Sequence, residues 1–133
     1  MQFHHNKDKV LIIDFGSQVT KLIARRIREL GVYSEIITPK KLSELKEYQN
    51  IKGLIFSGGP STVTSKKFQS VPKEIFKKNI PILGICYGLQ LIAKLFGGKI
   101  KSSKKKREFG RTFLFKNQSS LLTKNYLYFQ NDL

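Results

Sequence analysis

The sequence holds one cysteine, Cys86, and two histidines, His4 and His5, side by side near its start. One thiol cannot close an internal disulfide, and one thiol with two imidazoles cannot assemble an ordinary zinc cluster. So little cysteine fits a reducing compartment, and a cytoplasmic location is the expectation. Acidic residues are also scarce: nine Asp and Glu stand against 25 Lys and Arg, a formal net charge of +16. Such an excess attracts polyanions, but the lysines are scattered and read as solvated faces. Only Lys104, Lys105, Lys106 and Arg107 form a run. No aromatic residues interleave with it and no nucleic-acid motif accompanies it, so nucleic acid is not the expected partner. Long apolar stretches are missing: the runs fall far short of the roughly 20 residues that cross a bilayer. The opening "MQFHHNKDK" lacks the apolar core of a signal peptide, so no membrane association is expected. Repeats and long linkers are absent as well.

What is present is enough for one domain. The 133 residues are 40% apolar and include ten Phe, which can bury a real core. Residues 1–8 read as a tail and 9–133 as the domain. "KVLIIDFG" (Lys9–Gly16) is a continuous apolar run closed by Gly, suited to a strand buried on both faces. From Gln18 to Leu30, the residues Val19, Leu22, Ile23, Ile27 and Leu30 recur at helical spacing, and Gly31 supplies the stop. "VYSEIIT" predicts a second strand, Lys40–Tyr48 a short helix, and "IKGLIFSGGP" a third strand ending in two glycines and a proline. A helix is expected over Pro72–Lys78, a fourth strand over "IPILGI", and a helix over Tyr87–Phe96 that stops at Gly97-Gly98. This alternation implies βαβ units and an open, mostly parallel sheet between helical layers. Beyond Gly98, "GKIKSS", "GRTFLF" and "NYLYFQNDL" read as shorter, more polar strands.

In such a sheet, ligands bind beyond the carboxyl ends of the strands. "DFGSQ", "SGGPST" and "GICYG" all arrive there. Cys86 falls at a strand-to-helix junction between Gly84 and Gly88, which matches a nucleophile elbow with sulfur in place of oxygen. The tight turn crowds the neighbours of the nucleophile, so glycines fit. The following helix directs its positive end at Cys86 and favours the thiolate. The backbone N–H of Tyr87 is then free to face a developing oxyanion, and Gly58 and Gly59 could bring a second N–H to the same point. A core cysteine in an ordinary β–turn–α connection is the plainer alternative. The flanking glycines, the junction and the Gly58-Gly59 pair weigh against it.

"GICYGLQ" together with "SGGPS" resembles the class I glutamine amidotransferases. Within that superfamily, "LIIDFGSQVTKLIARRIRELGVYSEI" and "REFG" (Arg107–Gly110) are similar to the glutaminase domain of glutamine-hydrolysing GMP synthases, from Lys9 to about Phe115. The resemblance implies a flavodoxin-like three-layer fold, incomplete at its carboxyl end. It also implies that Cys86 attacks the side-chain amide of glutamine and forms a glutamyl thioester. Gly59 and Tyr87 would supply the oxyanion-hole amides, with Gly58 and Gln90 close to the bound glutamine. In the family, the ammonia passes to a synthetase domain that adenylylates XMP with ATP and Mg2+ and aminates it to GMP, within purine biosynthesis. The family enzyme is a homodimer through a further domain.

Departures from the family pattern set further expectations. The family's Cys–His–Glu triad draws its His and Glu from an "HPE" stretch, which this sequence does not contain. His4 and His5 would lie at the amino edge of the sheet, roughly 20 Å from Cys86 across a six-residue strand. The ATP-pyrophosphatase loop "SGG-x-D" is absent, and "FQNDL" stands where the family carries "SHGD". The expectation is a partial glutaminase domain with no cofactor of its own and little activity alone. A separate synthetase chain is the partner it would need. A non-catalytic remnant or binding module of the same fold is the main alternative, and a basic polyanion-binding protein a further one.

Overall fold

Leu11, Ile12 and Ile13 are all buried to 1% exposure or less, so the strand that carries them is covered on both faces. The computed structural model describes residues 7–60, 68–101 and 121–122. The chain divides into two units, Met1–Ile100 and Lys101–Leu133, and every element below belongs to the first. In order these are β1 (Lys9–Ile13), α1 (Thr20–Glu29), β2 (Ser34–Ile37), α2 (Pro39–Glu44), β3 (Ile51–Phe56), a 3₁₀ turn (Lys73–Lys77), β4 (Ile82–Gly84) and α3 (Tyr87–Leu95).

The four strands form one sheet in the order β2-β1-β3-β4, and each neighbouring pair is parallel. Ile13 lies beside Ile37 of β2 and Phe56 of β3, and Leu11 beside Leu54. Because side chains alternate across a strand, Leu11, Ile13, Ile37, Leu54 and Phe56 share one face. There they form a single core with Leu42 of α2, Ile75 of the 3₁₀ turn, and Tyr87 and Leu91 of α3. Each such side chain contributes about 1.5–3 kcal/mol through burial. Ile12 points to the other face, which α1 covers where it packs on β1 and β2 and buries Ala24. The result is the expected three-layer arrangement, and right-handed crossovers between parallel strands require this split of the helices. β4 ends the described sheet, with Leu83 37% exposed.

Local chemistry sets the boundaries. Thr38 caps α2 by accepting a hydrogen bond from the Lys41 amide at 3.1 Å, with Pro39 in the first turn. The helix expected over Lys40–Tyr48 therefore starts one residue early, and it stops at Glu44. Leu45 turns extended there, and it and Tyr48 pack against the core. The segment expected to be a helix over Pro72–Lys78 is only a 3₁₀ turn. Pro72 is extended, and the amides of Ile75 and Lys78 reach back three residues, to Pro72 and Ile75. That single tight turn is enough to bury Ile75. After α3, Gly97 takes φ +82° and the Gly98 amide donates to Ala93 O at 2.7 Å, closing the helix. Residues 98–101 are not in a strand, contrary to the reading of "GKIKSS". The remaining expected strands, "GRTFLF" and "NYLYFQNDL", and the Lys104–Arg107 run lie outside the described residues.

At the amino end of the sheet, Glu35 accepts from Lys9 Nζ at 2.8 Å and has Lys41 Nζ at 3.5 Å. The hydrogen bond from Lys9 holds its carboxyl below the usual range against the opposing effect of burial, with Lys41 adding to the attraction. A carboxyl that titrates lower in the folded protein stabilises above its unfolded pKa, and that contribution fades as pH falls through the folded value. Glu35→Gln is expected to lower stability by about 0.5–1 kcal/mol near neutral pH. In urea titrations at decreasing pH, this deficit should shrink as the wild-type carboxyl protonates. A deficit that stays constant with pH would place its origin elsewhere.

Candidate functional site

Three turns meet at the carboxyl end of the sheet: 14–17 after β1, 57–60 after β3, and 85–88 from the end of β4 into the start of α3. At the third, the Ile85 amide donates to Phe56 O at 2.9 Å, and the chain then reverses sharply at Cys86. Cys86 has φ +51° and ψ −112° and is exposed. A side chain held in this left-handed region costs about 1–3 kcal/mol and persists only where the surroundings enforce it. The enforcement is visible. The Gly88 amide donates to both Ile85 O (2.9 Å) and Ser57 O (3.1 Å), and the Gln90 amide donates to Cys86 O at 3.1 Å.

The expected elbow glycines are both sterically required. A Cβ on Gly88 would lie 2.2 Å from Phe56 O, and one on Gly84 would lie 2.7 Å from the Leu89 amide nitrogen. Cys86 therefore occupies the amino end of α3, held over the end of β3, with Tyr87 as the first helical residue.

The other two turns are fastened to each other. Ser57 Oγ accepts from the Phe15 amide at 3.3 Å and donates to Gly58 O at 3.1 Å. A Cβ on Gly59 would lie 2.6 Å from Phe15 O, so that glycine is also needed for close approach. Asp14 Oδ1 accepts from the Gly16 amide at 2.8 Å and from Thr20 Oγ1 at 3.2 Å, an anchor between β1 and α1. Gly58 faces the elbow: a Cβ there would be 3.5 Å from Cys86 Cβ and 3.6 Å from Ser17 Oγ. Ser17 thus belongs to the site, although no spacing in "DFGSQ" singled it out. Its Oγ accepts from the Val19 amide at 3.1 Å, which leaves its proton free to donate.

Tyr87 is 3% exposed, with its ring 5.0 Å from that of Phe15. Its hydroxyl donates to Gln69 O, and burial pushes the phenol above its ordinary range despite that bond. Gln90, one turn into α3, has a buried Oε1 with no hydrogen-bond partner. An unmet buried acceptor costs about 1–3 kcal/mol.

All seven residues singled out in the sequence (Gly58, Gly59, Gly84, Cys86, Tyr87, Gly88 and Gln90) lie in these turns, at the last position of β4 (Gly84) or in the first turns of α3. His4 and His5 lie outside the described residues. Among the described residues no three His, Cys, Asp or Glu side chains converge to hold a metal ion. No helix among them is long and apolar enough to cross a membrane.

Comparison with known proteins gives three findings. The family described as Glutamine amidotransferase class-I matches residues 11–131. The chain is 51% identical over 121 residues to the GMP synthase (glutamine-hydrolyzing) of Borreliella burgdorferi strain N40, which covers 88% of this chain and 23% of the relative. It is 52% identical over 115 residues to that of Finegoldia magna, covering 85% and 22%. The chain thus spans less than a quarter of the length of these relatives. Among solved structures, it matches a Thermoplasma acidophilum protein described as a candidate subunit of GMP synthase. The TM-score there is 0.59 at 35% identity, covering 80% of this chain and 53% of that one.

The site geometry makes two stability predictions, both read from urea midpoints. Gly88→Ala should destabilise by about 2–4 kcal/mol because its Cβ meets backbone, whereas Gly58→Ala, with ordinary contacts, should change stability by less than about 1 kcal/mol. Equal effects would contradict the packing described. Cys86→Gly should be about 1 kcal/mol more stable than Cys86→Ala, since only glycine takes this φ without strain. The opposite order would show that the elbow relaxes freely.

Proposed function

Because the chain belongs to the glutamine amidotransferase class-I family, we propose that it carries the glutamine-hydrolysing site of a GMP synthase, with Cys86 as the nucleophile. The observation that carries this reading is the position of Cys86: an exposed thiol held at φ +51° on the amino end of α3, against Gly58. The first-turn amides of α3 point toward the position the sulfur occupies.

In this reading the Cys86 sulfur attacks the side-chain carbonyl carbon of glutamine. The carbonyl oxygen takes up negative charge and accepts hydrogen bonds from the Gly59 and Tyr87 amides. Such preorganised donors stabilise the tetrahedral state without reorganisation. Collapse breaks the C–N bond, ammonia leaves with an added proton, and a glutamyl thioester remains on Cys86. Water then releases glutamate. We assign Ser17, beside Gly58, and Gln90, in the first turns of α3, to contacts with the bound amino acid. Gly84 and Gly88 keep the elbow tight, and Gly58 keeps the approach to sulfur open.

The proton given to ammonia and the one taken from water need a general acid and base. We assign these to a group outside the described residues. We place the synthetase that consumes the ammonia, with ATP and XMP, on a separate chain. The solved relative, described as one part of a GMP synthase, supports this division, and the cytoplasm is the proposed location. Each such proton transfer is worth about 10²–10⁴-fold in rate.

Ammonia release from glutamine, with and without the synthetase chain, tests this. Release should depend on Cys86, disappear in Cys86→Ala, and rise when the partner is added. Release that survives Cys86→Ala would overturn the assignment.

A further inference from the structure

The chemistry above uses only the backbone of Tyr87, yet its side chain makes contacts that a plain core residue could not. The ring lies 5.0 Å from Phe15 at a 48° tilt, and Phe15 in turn meets Phe56 edge-on at 6.0 Å. Gly59 rests on Phe15: a Cβ there would lie 2.6 Å from Phe15 O and 3.1 Å from Phe15 Cβ. Tyr87, Phe15 and Gly59 therefore form one contiguous stack that joins the two amides assigned to the oxyanion. The Tyr87 hydroxyl adds a second tether. It donates to Gln69 O, two residues before Val71, which is buried in the core. A leucine or phenylalanine could fill the space, but neither could reach that carbonyl.

Resting on the glutaminase reading, we propose that the Tyr87 side chain is a positioning residue. By clamping Phe15 and Gln69, it fixes the separation of the Gly59 and Tyr87 amides. Burial keeps the phenol protonated well into the alkaline range, so the tether holds across the pH at which a thiolate reacts. Misplacement of a catalytic group by about 1 Å is enough to cost up to about 10²-fold in rate. The effect should therefore fall on the step that develops the oxyanion, not on ground-state binding.

The test is pre-steady-state acylation of the full chain by the γ-p-nitrophenyl ester of glutamate, comparing wild type, Tyr87→Phe and Cys86→Ala. The Cys86 S–C bond forms as the ester C–O bond breaks, and p-nitrophenolate departs with the electron pair and no added proton. The reaction therefore does not need a general acid for its leaving group. Saturation separates the acylation rate from the binding constant. Alkylation by iodoacetamide serves as a parallel readout, because displacement at a saturated carbon develops no oxyanion.

Tyr87→Phe should acylate about tenfold more slowly, with binding and alkylation both within about twofold of wild type. An unchanged acylation rate overturns the clamp. So does a parallel fall in alkylation and binding, which would mark a merely structural loss. If wild type itself gives no burst that depends on Cys86, the glutaminase reading fails and the clamp with it. A wild-type burst that Tyr87→Phe leaves intact removes the clamp alone.

Discussion

The close approach of α3 to the end of β3 is the constraint on which the site depends. Gly88 lies where its Cβ would overlap Phe56 O, and its amide donates to Ser57 O at 3.1 Å. With that distance set, the only path from Gly84 to Tyr87 is the sharp reversal that puts Cys86 at φ +51°. The thiol is left exposed at that reversal. The same approach brings Ser57 into position to hold Phe15 and Gly58, so one helix–strand contact organises all three turns.

Such an arrangement needs support from elsewhere in the fold. The strain at Cys86 and the unmet Oε1 of Gln90 each cost about one to three kcal/mol. Offsetting them is the sheet face formed by Leu11, Ile13, Leu54 and Phe56 with Leu91 and Tyr87 of the elbow helix. The residues that present the thiol thus share a core with those that stabilise the fold. The lysines among the described residues that form ion pairs, such as Lys9, Lys40, Lys41 and Lys52, do so at the surface or at the amino end of the sheet.

The sheet was legible in the sequence because a strand covered on both faces must be apolar at every position, and "VLII" is. The elbow was legible for a steric reason: Gly84 and Gly88 flank Cys86 at a spacing where backbones touch, and touching backbones admit only glycine. Other features depend on contacts distant in the chain. Ser17 gained its place only once β1 and β3 lay side by side. The Tyr87 hydroxyl gained its role only once Gln69, 18 residues earlier, was seen beneath it. Over Pro72–Lys78 a helical pattern was present, but burying Ile75 alone needs a single tight turn. At Leu45 the pull of the core on Leu45 and Tyr48 outweighed helix propensity.

The central claim is that the strained thiol at the head of α3 forms a covalent bond with glutamine. The direct measurement is mass spectrometry of the intact chain after incubation with glutamine and an acid quench, followed by peptide mapping. The account requires a glutamyl adduct on Cys86 that is absent from Cys86→Ala and from incubations with asparagine. Modification elsewhere, or a folded chain that never acquires the adduct, would contradict it.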